Sequence, residues 1–336
     1  MRRTRSAVLF CLLIFAVAVM GETLPILRFS LPPVMEALPI AFADEWGLFE
    51  SHGISVELVG FSDIDERSAA LHTGNIDGLM SDVTHAILDS TTGLGLVLTA
   101  AARSRPQTGS VALSLLSPAS FRIDTFPDLL ASNQLIGILH RSDYEFMLDL
   151  LIENTPEGDE RSAKFGQFTD MLQLATMLGA QWLGSAVLPE PYVSYIATYV
   201  PPGGEPLKLN LLSDFEDLVL PPSVVLFRQS FVDEYPEAVQ AFHAAYSEAI
   251  VRLNQTSRDE LVETGLEVAV SLFFQAANTE LIGQDVLDAL PIPTFEPLST
   301  LEFDEYDRIA RWVLTKGYLY LNSPDYDEFV DWRFLP

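Results

Sequence analysis

The chain has 336 residues, a length that predicts two domains or one large domain. Its 47 acidic side chains outnumber 19 basic ones, so the formal net charge at pH 7 is −28. This charge argues against a nucleic-acid partner, because phosphate binding requires basic patches.

The first residues have the pattern of an export signal. Three arginines precede an apolar run over 7–20, and the small residue Gly21 offers a cleavage site before Glu22. The run is shorter than the about 20 apolar residues of a membrane span, so we predict a signal peptide over 1–21. A retained N-terminal anchor is the alternative. The sole cysteine, Cys11, lies in this run, so the processed chain has no thiol for disulfides, metal ligation or nucleophilic catalysis.

Strand and helix patterns alternate through the first two thirds of the chain. Strands are predicted at 26–30, 55–61, 78–81, 96–102, 111–114, 135–139, 164–168, 185–188, 209–212 and 224–227, and helices at 37–46, 63–73, 83–90, 142–154 and 170–178. This alternation predicts a parallel or mixed sheet flanked by helices. From Phe231 onward the pattern is mainly helical, with a long helix at 236–253 and a capping-box pattern at 299–302.

Five segments, in order and at matching spacing, carry a resemblance to a known family. They are AFADEWGLFESHGISVE (41–57), AALHTGNID (69–77), FPDLLASNQLIGIL (126–139), AVLPEPYVSYI (186–196) and FRQSFVDEYPEAVQAFHAAYSEAI (227–250). The chain resembles the substrate-binding proteins of ABC importers, of the type that binds sulfonates or thiamine precursors. Gln181 departs from the family, which usually has Asp there. The cysteine-rich motif of the pyrimidine-synthesising relatives is also missing.

The resemblance implies an α/β protein with the two-lobed type II periplasmic-binding-protein fold and a ligand cleft between the lobes. Lobe I is expected to comprise 22–108 and 225–336, and lobe II to comprise 109–224. The implied function is capture of a small molecule outside the cytoplasm, in the periplasm or at the outer face of the cytoplasmic membrane. The expected partner is an ABC permease, and we expect a monomer without catalysis, cofactor or metal.

Candidate ligand-binding residues follow from the expected sheets. In open α/β sheets, ligands bind beyond the carboxyl ends of the strands, where helix N-termini direct N–H groups outward. The candidates are Ser30, Leu31, Pro32, Glu36, Phe61, Ser62, Ser81, Asp82, His85, Arg103, Arg105, His140, Ser142, Tyr144, Glu190 and Tyr192.

Each candidate has a structural alternative. Ser142 and Asp82 can serve only as helix caps, and Glu190 can belong to a turn before a helix that starts with proline. The two arginines at 103 and 105 can be solvated hinge residues, isolated histidines are more often structural, and the two tyrosines can belong to the core.

The candidate loops mix arginines with carboxylates, which predicts an uncharged or zwitterionic ligand, such as a heteroaromatic one. No G-x-S-x-G, H-E-x-x-H or Walker A pattern occurs, and the histidines lack zinc-ligand spacing. The alternative function is an enzyme on the same scaffold, of the menaquinone or pyrimidine biosynthesis type. A periplasmic sensor module is a third hypothesis.

Overall fold

The computed structural model describes residues 26–61, 63–156, 163–200, 205–274, 283–320 and 322–336. The predicted signal segment and its cleavage site lie outside these ranges. Within them, no helix is long and apolar enough to cross a bilayer.

The strands and helices follow in chain order. The strands are β1 (Ile26–Ser30), β2 (Ser55–Val59), β3 (Gly78–Ser81), β4 (Leu96–Ala102), β5 (Ser104–Arg105), β6 (Leu113–Pro118), β7 (Leu135–Leu139), β8 (Lys164–Phe168), β9 (Ser185–Pro189), β10 (Leu209–Ser213), β11 (Ser223–Arg228) and β12 (Thr294–Phe295). The helices are α1 (Leu38–Glu45), α2 (Leu48–Ser51), α3 (Ile64–Thr73), α4 (Val83–Ser90), α5 (Phe126–Ala131), α6 (Asp143–Glu153), α7 (Met171–Gly179), α8 (Tyr192–Thr198), α9 (Gln229–Glu234), α10 (Pro236–Gln255), α11 (Arg258–Thr264), α12 (Leu266–Phe274), α13 (Gln284–Ala289), α14 (Phe303–Thr315) and α15 (Tyr326–Phe329). Short 3₁₀ turns occur at Met35–Ala37, Ala119–Phe121 and Trp332–Phe334.

Local signals explain where several helices begin and end. The Asp63 side chain accepts hydrogen bonds from the amides of Asp65 and Glu66 and so starts α3, and Gly74 ends that helix at φ +75°. The expected helix start at 299–302 is wrong. Ser299 instead exchanges backbone hydrogen bonds with Ala101 of β4, and α14 begins later, with a capping box formed by Glu302 and Glu305.

Two five-stranded sheets share one topology. The first has the order β2-β1-β3-β11-β4 and the second, read from its corresponding edge, the order β8-β7-β9-β6-β10. In each sheet only the fourth strand runs against the others. These mixed sheets with flanking helices form the predicted two-lobed α/β fold. We name the lobes after their sheets, the first lobe and the second lobe. The predicted boundaries at 108/109 and 224/225 stay a prediction, and β11 of the first sheet already starts at Ser223.

The buried apolar side chains continue from one lobe into the other. One contiguous cluster contains Phe29 of β1 and Leu188 of β9, and a second contains Leu98 of β4 and Ile138 of β7. Within the first cluster, Phe49 stacks on Phe242 with ring centroids 5.4 Å apart. The lobes are therefore in extensive apolar contact.

The C-terminal helices also connect the lobes. Helix α14 packs on α4 and on α6. The Tyr318 hydroxyl donates a 2.6 Å hydrogen bond to Glu145 of α6, and the Trp312 indole donates one of 2.7 Å to Asp149. The region after β11 therefore contacts both lobes.

Candidate ligand-binding cleft

A cleft of about 730 Å³ lies between the lobes. Its walls include the two chain crossings between the sheets, over 106–113 and 214–222, together with residues that follow β1, β3, β4 and β9. The predicted site residues on its surface are Glu36, Asp82, Arg103, Tyr144 and Glu190. Clefts of this size fit small organic ligands.

A smaller side pocket of about 50 Å³ shares Val34, Asp82, Tyr144 and Ser223 with the cleft. Its remaining wall residues are Pro32, Pro33, Phe61, Asp63, Ile64, Arg67, Leu139, Thr169 and Met171. Two more predicted residues, Pro32 and Phe61, therefore lie at this pocket.

Two carboxylates meet at the N-terminus of α4, one from each lobe. Asp82 caps the helix from its own lobe by accepting a 2.7 Å hydrogen bond from the His85 amide. Asp143, from the second lobe, accepts hydrogen bonds of 3.0 Å from the Val83 amide and of 2.9 and 2.5 Å from the amide and hydroxyl of Thr84. Burial, and then the charge of Asp82, raise the pKa of Asp143 to about 7.

Asp82 also forms a buried pair with His85, whose Nδ1 lies 2.9 Å from the carboxylate. Burial acts to raise the pKa of Asp82, but the adjacent His85 outweighs it, and the pKa is lowered. Burial acts to lower the pKa of His85, and here Asp82 prevails and raises it. Asp82 thus both caps a helix and lines the cleft. His85 hydrogen-bonds to Asp82 but does not line the cleft itself.

Glu36 of the first lobe and Tyr144 of the second lobe both line the cleft. The Glu36 carboxylate accepts a 2.6 Å hydrogen bond from the Ser104 hydroxyl, and burial raises its pKa. Burial, followed by the charge of Glu36, raises the pKa of the half-buried Tyr144, so its hydroxyl keeps its proton.

Glu190 is 7% exposed and lines the cleft from the second lobe. It accepts a 3.0 Å hydrogen bond from the Ser194 amide at the start of α8. Burial raises the pKa of Glu190 to about 7. Glu190 therefore lies at the cleft and also binds the first turn of α8.

The two predicted arginines that follow β4 both pair with carboxylates. Arg103 lies at the cleft and binds both oxygens of Glu305 at 2.7 Å. Arg105 is largely exposed, binds Glu296 at 2.5 Å and does not line the cleft. Both charges are neutralised by carboxylates of the chain.

The structure does not bring the other predicted residues into the cleft or the side pocket. Ser30, Leu31, Ser81, His85, Arg105, His140, Ser142 and Tyr192 line neither, and Ser62 lies outside the described residues.

The reasons differ between these residues. Ser30, Leu31 and Ser81 are buried at or just past the strand ends, because the sheet and its flanking helices cover them. Ser142 is fully buried, accepts from the Glu145 amide and donates to Leu139, so it starts α6. The Tyr192 hydroxyl donates to the Phe273 carbonyl at 3.1 Å, inside the core.

His140 lies beside the contact between α6 and the segment after α14. Its Nδ1 is 3.4 Å from Glu145, and its ring contacts Tyr318 edge-on with centroids 5.3 Å apart. Burial lowers the pKa of His140. In this structure His140 therefore contributes to the contact with Glu145 and Tyr318.

Sequence reasoning missed Arg67, Asp143 and the crossings that wall the cleft. Arg67 sits in the middle of α3 in a polar stretch, and Asp143 is the first residue of α6. Arg67 does not follow a strand, so the strand-end rule passed over it. Asp143 lies between the predicted residues Ser142 and Tyr144 after β7 but was not itself selected.

Among the residues that the structure describes, no group of three or more His, Asp or Glu side chains could hold a metal ion. The cleft offers carboxyl, hydroxyl and amide groups, which suit recognition of a polar small molecule.

No protein-family model matches the sequence, and no curated protein matches it significantly. Solved structures do match. The alkanesulfonate-binding protein SsuA from Xanthomonas axonopodis pv. citri, bound to MOPS, is 16% identical with a TM-score of 0.69 over 91% of this chain and 97% of that chain. The periplasmic nitrate-binding protein NrtA from Synechocystis PCC 6803 is 12% identical with a TM-score of 0.63 over 90% and 83%.

A third structure is the CA3427 gene product of Candida albicans, described as having the generic periplasmic binding protein fold. It is 14% identical with a TM-score of 0.60, over 92% of this chain and 96% of that chain. The shared topology and this coverage show that the chain has the two-lobed periplasmic-binding-protein fold.

Proposed function

We propose that this chain is the exported substrate-binding component of an ABC importer and captures a small molecule between its lobes. The observation that carries the proposal is the cleft, to which Glu36 and Asp82 of the first lobe and Tyr144 and Glu190 of the second all contribute. A ligand bound there would contact both lobes and favour their closed arrangement.

Similar structures support this role, since one of them is described as an alkanesulfonate-binding protein and another as a periplasmic nitrate-binding protein. The basic and apolar N-terminal pattern supports export. We propose binding rather than catalysis, because Asp82 and Glu190 of the cleft accept hydrogen bonds at helix starts and Arg103 pairs with Glu305, instead of forming a nucleophile and base pair.

The charges of the cleft support a neutral or zwitterionic ligand. Arg103 is neutralised by Glu305, whereas Glu36 and Glu190 accept hydrogen bonds from neutral groups, the Ser104 hydroxyl and the Ser194 amide. A purely anionic ligand would lie close to these carboxyl groups. The main cleft would offer no unpaired cation for its charge among the described residues, because Arg103 is already paired with Glu305.

The test is a thermal-unfolding screen of the exported protein against small polar metabolites. A ligand at 100 times its Kd should raise the unfolding free energy by about 2.7 kcal/mol. X-ray scattering with and without the hit should show a decrease in the radius of gyration, and mass spectrometry should recover the compound unchanged. Chemical conversion of the bound compound would contradict the proposal in favour of an enzyme.

A further inference from the structure

Arg67 is a buried cation whose side chain has no hydrogen-bond or ion-pair partner among the residues that the structure describes. Arg67 lies on α3 of the first lobe and lines the side pocket. Only 6% of its surface is exposed. Among the described residues, no hydrogen bond or ion pair engages its guanidinium, although Asp82, Asp89 and Tyr144 lie near enough to influence its pKa, which burial lowers. A guanidinium carries five N–H donors, and leaving such donors buried and unpaired is costly.

Tyr144 provides a second open donor from the opposite lobe. It lies near the start of α6, lines both the cleft and the side pocket, and its hydroxyl bonds to none of the residues that the structure covers. Because burial raises the pKa of this hydroxyl well above its usual value, it is a donor at neutral pH.

The acceptors around the side pocket are already engaged. Asp63 caps α3 with one oxygen and accepts a 2.6 Å hydrogen bond from Thr169 of the second lobe with the other. Asp82 is held by His85. Besides the Ser223 hydroxyl, the polar side chains of this pocket that hydrogen-bond to no described residue are therefore the donors of Arg67 and Tyr144.

The remaining walls are mainly apolar, from Pro32, Phe61, Leu139 and Met171. A pocket of about 50 Å³ exceeds the roughly 30 Å³ that one water occupies in the liquid. It therefore has room for a small functional group, and the rest of a ligand would extend into the cleft.

We propose that the side pocket is a subsite for an oxygen acceptor group of the ligand, a carboxylate, sulfonate or carbonyl, held between Arg67 of the first lobe and Tyr144 of the second. This inference rests on the proposed function and specifies one end of the captured molecule. Because each lobe supplies one donor, occupation of the subsite stabilises the contact between the lobes.

The test follows the arginine Nε–Hε signals of the ¹⁵N-labelled exported protein by NMR, and the Arg67→Lys spectrum assigns the signal of Arg67 by its loss. The probes are acetate, methanesulfonate, acetamide and methylammonium. We expect saturable shifts of the Arg67 signal with the oxygen probes and none with methylammonium. Comparison of acetate with acetamide tells whether the acceptor must be charged.

Two substitutions examine the donors separately by isothermal or NMR titration with the same probes. Tyr144→Phe removes only the hydroxyl and should weaken binding about fivefold, the value of one neutral hydrogen bond. Arg67→Lys replaces the planar, two-pronged guanidinium donor with a single ammonium group and should weaken probe binding by about tenfold or more. Arg122→Lys changes an exposed arginine away from the pocket and should leave the affinity unchanged.

Absence of a saturable shift at Arg67, or equal probe affinity in Tyr144→Phe with an unchanged melting temperature, overturns the subsite. The screen for the whole ligand separates this failure from failure of the transport role. If a ligand closes the lobes equally well in wild type and in both variants, the subsite proposal is refuted and the importer proposal is retained.

Discussion

The carboxylate of Asp143 in the second lobe accepts hydrogen bonds of 2.9 and 2.5 Å from the amide and hydroxyl of Thr84 in the first lobe. It also accepts from the Val83 amide at 3.0 Å. A carboxyl side chain of one lobe thus occupies the N-terminus of a helix of the other, where its oxygens accept hydrogen bonds from the free N–H groups. Asp143 is therefore a polar contact between the two lobes at the wall of the cleft.

Asp143→Ala should loosen this contact. Because Val83 and Thr84 lose their shared acceptor, the unfolding free energy should fall by about 1–2 kcal/mol, the range for loss of a helix cap. The distance between spin labels at Glu50→Cys and Ala131→Cys, one in each lobe, should become longer and broader in ligand-free protein.

The labels can be placed selectively because the sole native cysteine lies in the predicted signal segment. Asp325→Ala is the matched control, since Asp325 caps the amide of Asp327 within its own segment. An unchanged label distance in Asp143→Ala would show that the carboxylate does not hold the lobes together.

Glu190 should make stability depend on pH. Its pKa rises from 4.5 to about 7 on folding because of burial, so the folded state binds more protons than the unfolded state in this window. Its contribution to stability is therefore greatest at low pH and is lost as the pH rises toward 7. The difference in unfolding free energy between Glu190→Gln and wild type should grow with pH over this range, by at most about 1.4 kcal/mol per unit.

Urea unfolding at a series of pH values measures this difference. Glu237→Gln, at an exposed position of α10, should give a constant difference. A pH-independent difference for Glu190→Gln would mean that the folded protein keeps Glu190 ionised throughout.

His243 should act in the opposite direction. It is fully buried on α10, its Nε2 lies 2.9 Å from the Thr99 hydroxyl, and burial lowers its pKa from 6.5 to about 3. Below pH 6.5 the unfolded state binds more protons, so stability falls as the pH decreases toward 3. His243→Leu should remove up to about 1.4 kcal/mol per pH unit of this slope.

Thr99 still donates to the Val225 carbonyl in that variant, so the Leu substitution leaves no orphaned hydroxyl. His52→Leu, at the surface beside Glu248, serves as the control. Equal acid sensitivity of His243→Leu and wild type would be inconsistent with a neutral buried His243.

The ion pair of Arg103 and Glu305 should stabilise the cleft wall. Both oxygens of the carboxylate lie 2.7 Å from one guanidinium nitrogen, and both side chains are mostly buried. A double-mutant cycle with Arg103→Ala and Glu305→Ala should give a coupling energy of about 1–2 kcal/mol. The same cycle on Arg311 and Asp307, an exposed pair along α14, should give about 0.5 kcal/mol or less. Equal couplings would show that burial adds nothing to the cleft pair.

Local sequence was sufficient for most secondary structure and for part of the site. Residues 26–30, 78–81, 96–102, 135–139 and 164–168 form strands with the predicted bounds. These bounds follow from apolar runs and turn residues that act over a few positions. The strand-end rule also placed Glu36, Asp82 and Glu190 at the cleft, because strand ends and the loops after them are themselves local features.

The contacts between the lobes were decided only by the tertiary structure. Arg103 pairs with a residue 202 positions away, and Asp143 caps a helix that begins 60 positions earlier. In sequence, Arg67 has the pattern of a solvated helix residue. Packing against the second lobe nevertheless buries it, with no hydrogen-bond or ion-pair partner among the residues that the structure describes. Periodicity records which face of an element is apolar. It does not record which distant polar group that face meets, because this depends on how two separately folded sheets pack together.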